Sequence, residues 1–308
     1  MRSRAASTHG LLLVVALAAA RMTLVETAGF QEAVVVSGDV SRLTIEDLAD
    51  GGPAAGAIEI SDSRILIPAG LQIDLPAATL PLSVLFAMAP PGCREVRESG
   101  LARADRCRAD PTGGGLSSEV VDTTPRSGLA PKPDLRAPIA KATVSATRGA
   151  DGRLTALAVA LSKNIEYVWG AVSFISTEHG YFRVNGPFRR DEGGMLVRFN
   201  DPMGYHAVQS GVACGAEGNC SPDSRFHIDT ARASVRFRRG NPACVSSDVV
   251  PGLCPESNRT LPPDDLVTAV PLRVGDHVKA AGAFEIAGGV RFFSAQALVV
   301  EASPGISR

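Results

Sequence analysis

From residue 33 the chain reads as short apolar runs broken by single Gly, Asp and Ser residues. VVVSGDVSRLTI (34–45) and AIEISDSRILIP (57–68) are rich in Val, Ile and Leu without helical periodicity, which predicts strands. Pro68, Pro76 and Pro81 then interrupt the chain before SVLFAMAP (83–90), a brief apolar segment compatible with one helical turn or a buried strand. A second β-rich block opens near residue 140 with two strands around Gly149-Ala150-Asp151-Gly152, continues with a pair turning at His179-Gly180, and closes with a pair turning at Gly288-Gly289. MLVRFND (195–201) and SVRFRR (234–239) alternate apolar with polar positions, as half-buried strands do. Between the blocks, 111–139 carries Gly113-Gly114-Gly115 and several prolines with few large apolar residues, which reads as a linker. In three places, at Gly38, Gly170 and Gly282, a strand passes through a glycine and continues towards a turn. Glycine there supplies the bulge or coil that a strand needs when it serves both sheets of a small closed barrel. The pattern predicts an all-β chain of two small OB-like barrels, or β-sandwich-like units, with long Pro/Gly-rich loops. Its parts are an N-terminal β domain at 31–110, the linker at 111–139, and a C-terminal OB-like β domain at 140–303 with an excursion at 241–271.

The N-terminus changes where this fold must work. Arg2 and Arg4 precede an apolar run at 11–20 that ends in Ala18-Ala19-Ala20, the form of a secretory signal peptide at 1–20. Ten helical residues rise about 15 Å, half of a roughly 30 Å hydrocarbon core, so the run predicts a cleaved signal and no transmembrane anchor afterwards. The expected location is therefore secreted or periplasmic. All six cysteines follow it, at Cys93, Cys107, Cys214, Cys220, Cys244 and Cys254. In an oxidising compartment they read as disulfides, and their close spacing favours pairing between neighbours, although six cysteines leave other connectivities open. No C-x-x-C spacing suggests a zinc-thiolate site.

Two sets of residues carry a resemblance. Val274-Gly275-Asp276, opening a hairpin of the form V-x-x-x-G-x-F-x-x-x-G-G, is similar to the end of small OB-like domains of secreted bacterial proteins. VRFNDPMG (197–204), PDSRFHID (222–229) and CPESNR (254–259) resemble a group of uncharacterised secreted β-rich proteins of fungi and bacteria. That resemblance implies fold and export. The group has no established activity, so it implies no catalytic residue.

Composition narrows the partners. Thirty-one Lys and Arg against 32 Asp and Glu leave no overall field that would draw in nucleic acid, and export makes nucleic acid a poor partner as well. Charge is uneven, however: residues 181–240 hold nine Arg against six Asp and Glu. Arg236 and Arg238 flank Phe237 on an alternating strand, so their guanidinium groups share a face that suits sulfated, uronic or phosphorylated polymers. Edge protection explains the same charges without a ligand. Arg183, Trp169 and Tyr181 complete the ligand-binding expectation, since aromatic rings stack on sugars, though aromatic residues also fill barrel cores. Asp201, His206, Asp223, His227 and Asp229 form the densest group of donors, and the alternative site takes Asp201, His206, His227 and Asp229 from it: His227 and Asp229 are two apart and would share a side on a strand, where both could meet one divalent ion. No G-x-S-x-G elbow or phosphate loop occurs in a suitable context.

The sequence thus predicts an exported non-enzymatic binding or structural module for an extracellular polysaccharide or a surface protein, with no cofactor. The alternative is a metal-assisted hydrolase or lyase around His206, His227 and Asp229.

Overall fold

The computed structural model describes residues 32–46, 54–109, 121–122, 139–163, 165–215, 220–260 and 265–301. The apolar run at 11–20 and most of the 111–139 linker lie outside them. Strands account for 45% and helices for 9%, so the chain is all-β as expected.

In chain order the first part runs β1 (Ala33–Glu46), β2 (Ala55–Ile60), β3 (Ser63–Ile67), β4 (Gln72–Asp74), β5 (Thr79–Pro81), helices α1 (Leu82–Ala87) and α2 (Pro91–Glu95), β6 (Val121–Asp122), β7 (Ala140–Arg148) and β8 (Leu154–Lys163). Strand β1 pairs antiparallel with β2, β2 with β3, β8 with β7 and β7 with β1, while β3 and β8 pair parallel and close a five-stranded barrel. The apolar positions of this ring, among them Val40, Ile58, Ile65, Val144 and Val159, turn inward and form one core. Helix α1 settles the ambiguous segment at 83–90, because it buries Leu82, Leu85 and Phe86 against that core.

The second part runs β9 (Glu166–Ser176), β10 (Tyr181–Val184), β11 (Met195–Phe199), β12 (Val235–Phe237), β13 (Ala243–Cys244), β14 (Val270–Pro271), β15 (His277–Ala287) and β16 (Val290–Glu301). The same ring of pairings recurs in its sheet: β9 with β10, β10 with β11, β11 parallel with β16, β16 with β15, and β15 with β9. The two parts also share an added sixth strand. Strand β4 lies parallel to β8 in the first, and β12 lies parallel to β16 in the second.

The glycine expectation has a clear basis in these pairings. Strand β1 pairs with β7 over 33–39 and with β2 over 40–46, so Gly38 sits beside the change of partner. Strand β9 changes from β15 to β10 just after Gly170, and β15 shifts register between Ala281 and Gly282. A strand shared by two halves of a barrel must coil sharply at that point.

One boundary needs correction. The predicted C-terminal domain begins at 140, yet the hairpin β7–β8 at 140–163 completes the first barrel, and the second begins at β9. Alternation identifies strands but says nothing of their partners, and the hairpin's inward residues Ala142, Val144, Ala146, Val159 and Leu161 belong to the first core. The linker also contributes structure, since Val121 and Asp122 of β6 pair with Val290 and Arg291. Within 241–271, β13 pairs with β14, and Ala243, Val245 and Val270 join the second core. Three disulfides join neighbouring cysteines, Cys93 with Cys107, Cys214 with Cys220, and Cys244 with Cys254.

The barrels meet at a buried junction. From the second part, the turn Ser224–Phe226 inserts Phe226 into the first core, and Arg225 donates to the carbonyls of Leu85 and Ser99, each at 2.9 Å. Lys163, at the end of β8, reaches Glu285 of β15 and lies 3.2 Å from Asp223.

Candidate binding face

The outer side of the second sheet brings together residues from four strands. Trp169 lies opposite Lys279, Lys279 opposite Val299, and Val299 opposite Arg236, so one row crosses β9, β15, β16 and β12 in register. All four side chains point outward, because their neighbours Val168, Val278, Leu298, Val300, Val235 and Phe237 fill the core side. With strands about 4.8 Å apart, the row from Trp169 to Arg236 spans roughly 14 Å. Trp169 is 69% exposed and Tyr167, two positions earlier on the same side, is 55% exposed. Lys279 holds its ammonium 5.4 Å from the centre of the Tyr167 ring, joining cation and aromatic into one surface. Arg238 continues the basic side and pairs with Glu301 at 3.1 Å.

The position of Trp169 is set by the backbone beneath it. Asn185 donates from Nδ2 to the Trp169 carbonyl at 3.0 Å and accepts from the Ala171 N–H at 3.2 Å. Its side chain occupies the place where a Cβ on Gly170 would sit, and Gly170 has φ +148°. The amide therefore clamps the coil of β9 on both sides of Gly170, starting from the carbonyl of the residue that presents the indole.

Several predicted ligand residues are elsewhere. Tyr181 and Arg183 are buried in β10, where the tyrosine hydroxyl bonds Asp191 and the guanidinium meets Asp191 at 2.6 Å and the Gly193 carbonyl at 3.1 Å. Burial and the adjacent Asp191 push the Tyr181 hydroxyl up to about 12. These two residues are corrected from ligand contacts to internal supports: all four residues of β10 are buried, so neither face of the strand is open. Much of the Arg-rich excess is internal too. Arg198 is buried and donates to the carbonyls of Val212 and Ser210, and its burial lowers its pKa to about 10.

The Asp and His residues of the alternative site do not converge. Asp201 accepts from the His206 N–H at 2.6 Å and the Ala207 N–H at 3.3 Å, and His206 Nδ1 lies 2.8 Å from the Ala243 carbonyl. His227 Nδ1 lies 2.9 Å from the Ser224 carbonyl, and Asp229 accepts from the Arg232 N–H at 3.0 Å. These are turn-stabilising roles, as Asp and neighbouring backbone groups commonly provide. Among the described residues no group of three or more His, Cys, Asp or Glu side chains is placed to hold a metal ion.

A further group of shifted charges is buried at the junction. Burial alone would raise the Asp223 carboxyl, yet Arg225 and Lys163 hold it down at about 2. Burial pushes the Glu285 carboxyl up despite Lys163, while the two carboxylates outweigh burial and raise the Lys163 ammonium.

Of the residues named from the sequence, Trp169, Arg236 and Arg238 lie on this face, while Lys279 and the exposure of Tyr167 were not anticipated. The signal for Lys279 was the alternation of His277-Val278-Lys279-Ala280 at the start of β15. No family model matches this chain, and no match is found among curated proteins or solved structures.

Proposed function

We propose that the chain is an exported, non-enzymatic binding module that holds a linear anionic glycan across the outer face of its second barrel. The observation that carries this reading is the in-register row of Trp169, Lys279, Val299 and Arg236, with Tyr167 beside it. Aromatic rings stack on the apolar faces of sugar rings, and guanidinium or ammonium groups pair with carboxylate or sulfate substituents between them. A convex outer face suits an extended polymer lying along it better than a small molecule, which needs concavity to be surrounded. The three disulfides fit the oxidising compartment that the leader-like N-terminus suggests, and no helix among the described residues is long and apolar enough to cross a membrane.

Trp169 is the chain's one tryptophan, so its emission reports directly on this face. Titration with polygalacturonate or heparin is expected to quench or blue-shift that emission, with binding weakening as salt rises, while dextran leaves it unchanged. Calorimetry should find binding at least tenfold weaker in Trp169→Ala and in Arg236→Ala, about 1.4 kcal/mol each. An unchanged spectrum with both polyanions, or equal affinity in both variants, would overturn the proposal.

A further inference from the structure

The two barrels repeat one another closely enough to be compared position by position. Gly38 lies opposite Ala142 as Gly170 lies opposite Val278, so Ser37 and Thr143 correspond to Trp169 and Lys279. Thr143 pairs with Ala160 as Lys279 pairs with Val299, and Ala160 pairs with Asp74 as Val299 pairs with Arg236. The row of the binding face therefore has a counterpart, Ser37, Thr143, Ala160 and Asp74, on the outer side of the first barrel. There the aromatic ring and the cations are replaced by hydroxyls and a carboxylate.

An independent observation falls on the same place. A cleft of about 260 Å³ opens on this row, lined among others by Asp74, Pro76, Lys141, Thr143, Ala160 and Ser162. Ala160 leaves room where the second barrel has Val299, and Leu75 and Pro76, which follow β4, also line the cleft. The polar groups are spread round the cleft rather than of one kind. Asp74 accepts, Lys141 donates, and Thr143 and Ser162 can do either. The Ser37 and Thr143 hydroxyls share a hydrogen bond at 3.0 Å, so each is oriented by the other.

We propose that this cleft is a second saccharide subsite, taking one uncharged pyranose ring. Vicinal sugar hydroxyls both give and accept hydrogen bonds, which matches a mixed set of carboxylate, ammonium and hydroxyl, and the ring's apolar face can rest on Pro76 and Ala160. Asp74 and Lys141 offset one another, so the cleft has no net charge to select an anion or a cation. The cleft has room for about one sugar ring, which fits a terminal ring or a monosaccharide branch. The claim stands on the cleft and its lining, and extends the glycan reading of the other face without requiring that face to bind.

The test is saturation-transfer NMR on the full disulfide-bonded protein with methyl α-glucoside, methyl α-mannoside, methyl β-galactoside and N-acetylglucosamine. At least one of these should receive saturation, and the signal should fall at least tenfold in Ala160→Phe, which fills the cleft from an exposed position. Asp74→Asn should weaken it as well, whereas Trp169→Ala should leave it intact. No transfer to any of the four sugars, or transfer unaffected by Ala160→Phe in a protein with native melting behaviour, would overturn the proposal. Loss of this signal with polygalacturonate binding retained would refute the cleft alone, and the reverse result would refute the sheet face alone.

Discussion

Gly170 has no side chain because the Asn185 amide stands where a Cβ would go, and its φ of +148° is one that residues with a Cβ rarely adopt. Gly170→Ala must push Asn185 away and strain the backbone, and both hydrogen bonds that clamp β9 are lost with it. The expected cost is about 2 kcal/mol, read as a lower thermal midpoint, together with a shifted Trp169 emission because the indole sits on the preceding residue. Retention of both the native midpoint and the native emission would show that the clamp does not position the indole. At this scale the sequence was partly legible. Alternation around Phe237 placed Arg236 and Arg238 on one exposed side, since a strand's period is fixed by its geometry. Tyr181 and Arg183 were expected at a ligand from their residue types alone, and residue type says nothing of the burial of all four residues of β10. Asp201, His206, His227 and Asp229 are close in sequence, but each is spent on nearby backbone groups.

At the scale of elements, strands and their turns were readable because apolar runs, Gly-rich turns and interrupting prolines are local signals. Partnership was not, and the first barrel shows why. Its ring is closed by the parallel pairing of β3 with β8, strands that lie on opposite sides of the linker. A hairpin such as β7–β8 fits equally well, by pattern, on either side of a domain boundary. What assigns it is the seven-residue pairing of β1 with β7 and the shared core of Val40, Ile58 and Val144. Dividing the chain after residue 139 therefore removes two of the first barrel's five strands. The piece 31–139 is expected to show no dispersed amide spectrum alone and to gain one when mixed with the piece 140–308, which carries the missing hairpin. A well-dispersed spectrum from 31–139 by itself would contradict the strand assignment.

For the whole molecule, the decisive feature is four buried charges where the barrels meet: Lys163, Glu285, Asp223 and Arg225. Two cations and two anions balance, and the guanidinium's remaining donors go to backbone carbonyls of the first part. Such a group tolerates burial only when complete, because a lone buried charge costs several kcal/mol. Its pH behaviour follows from the two carboxyls. Asp223 is held down at about 2 from an ordinary 3.8, so the stability it contributes is present above 3.8 and is lost as pH falls towards 2. Glu285 is shifted the other way, above 4.5, so its protonation on acidification favours the folded state. The contribution of this group should therefore not fall as pH drops from neutral to about 4, and should then fall by about 2 kcal/mol between 3.8 and 2 from Asp223. Asp223→Asn should cost about 3 kcal/mol at neutral pH by leaving the cations under-compensated, and should remove that part of the acid loss. Denaturant titrations at stepped pH measure both effects. An acid loss of the same size in Asp223→Asn as in the native chain would place the sensitive carboxyls elsewhere, and the two barrels would then owe their mutual placement to Phe226 and its apolar seat rather than to the buried charges.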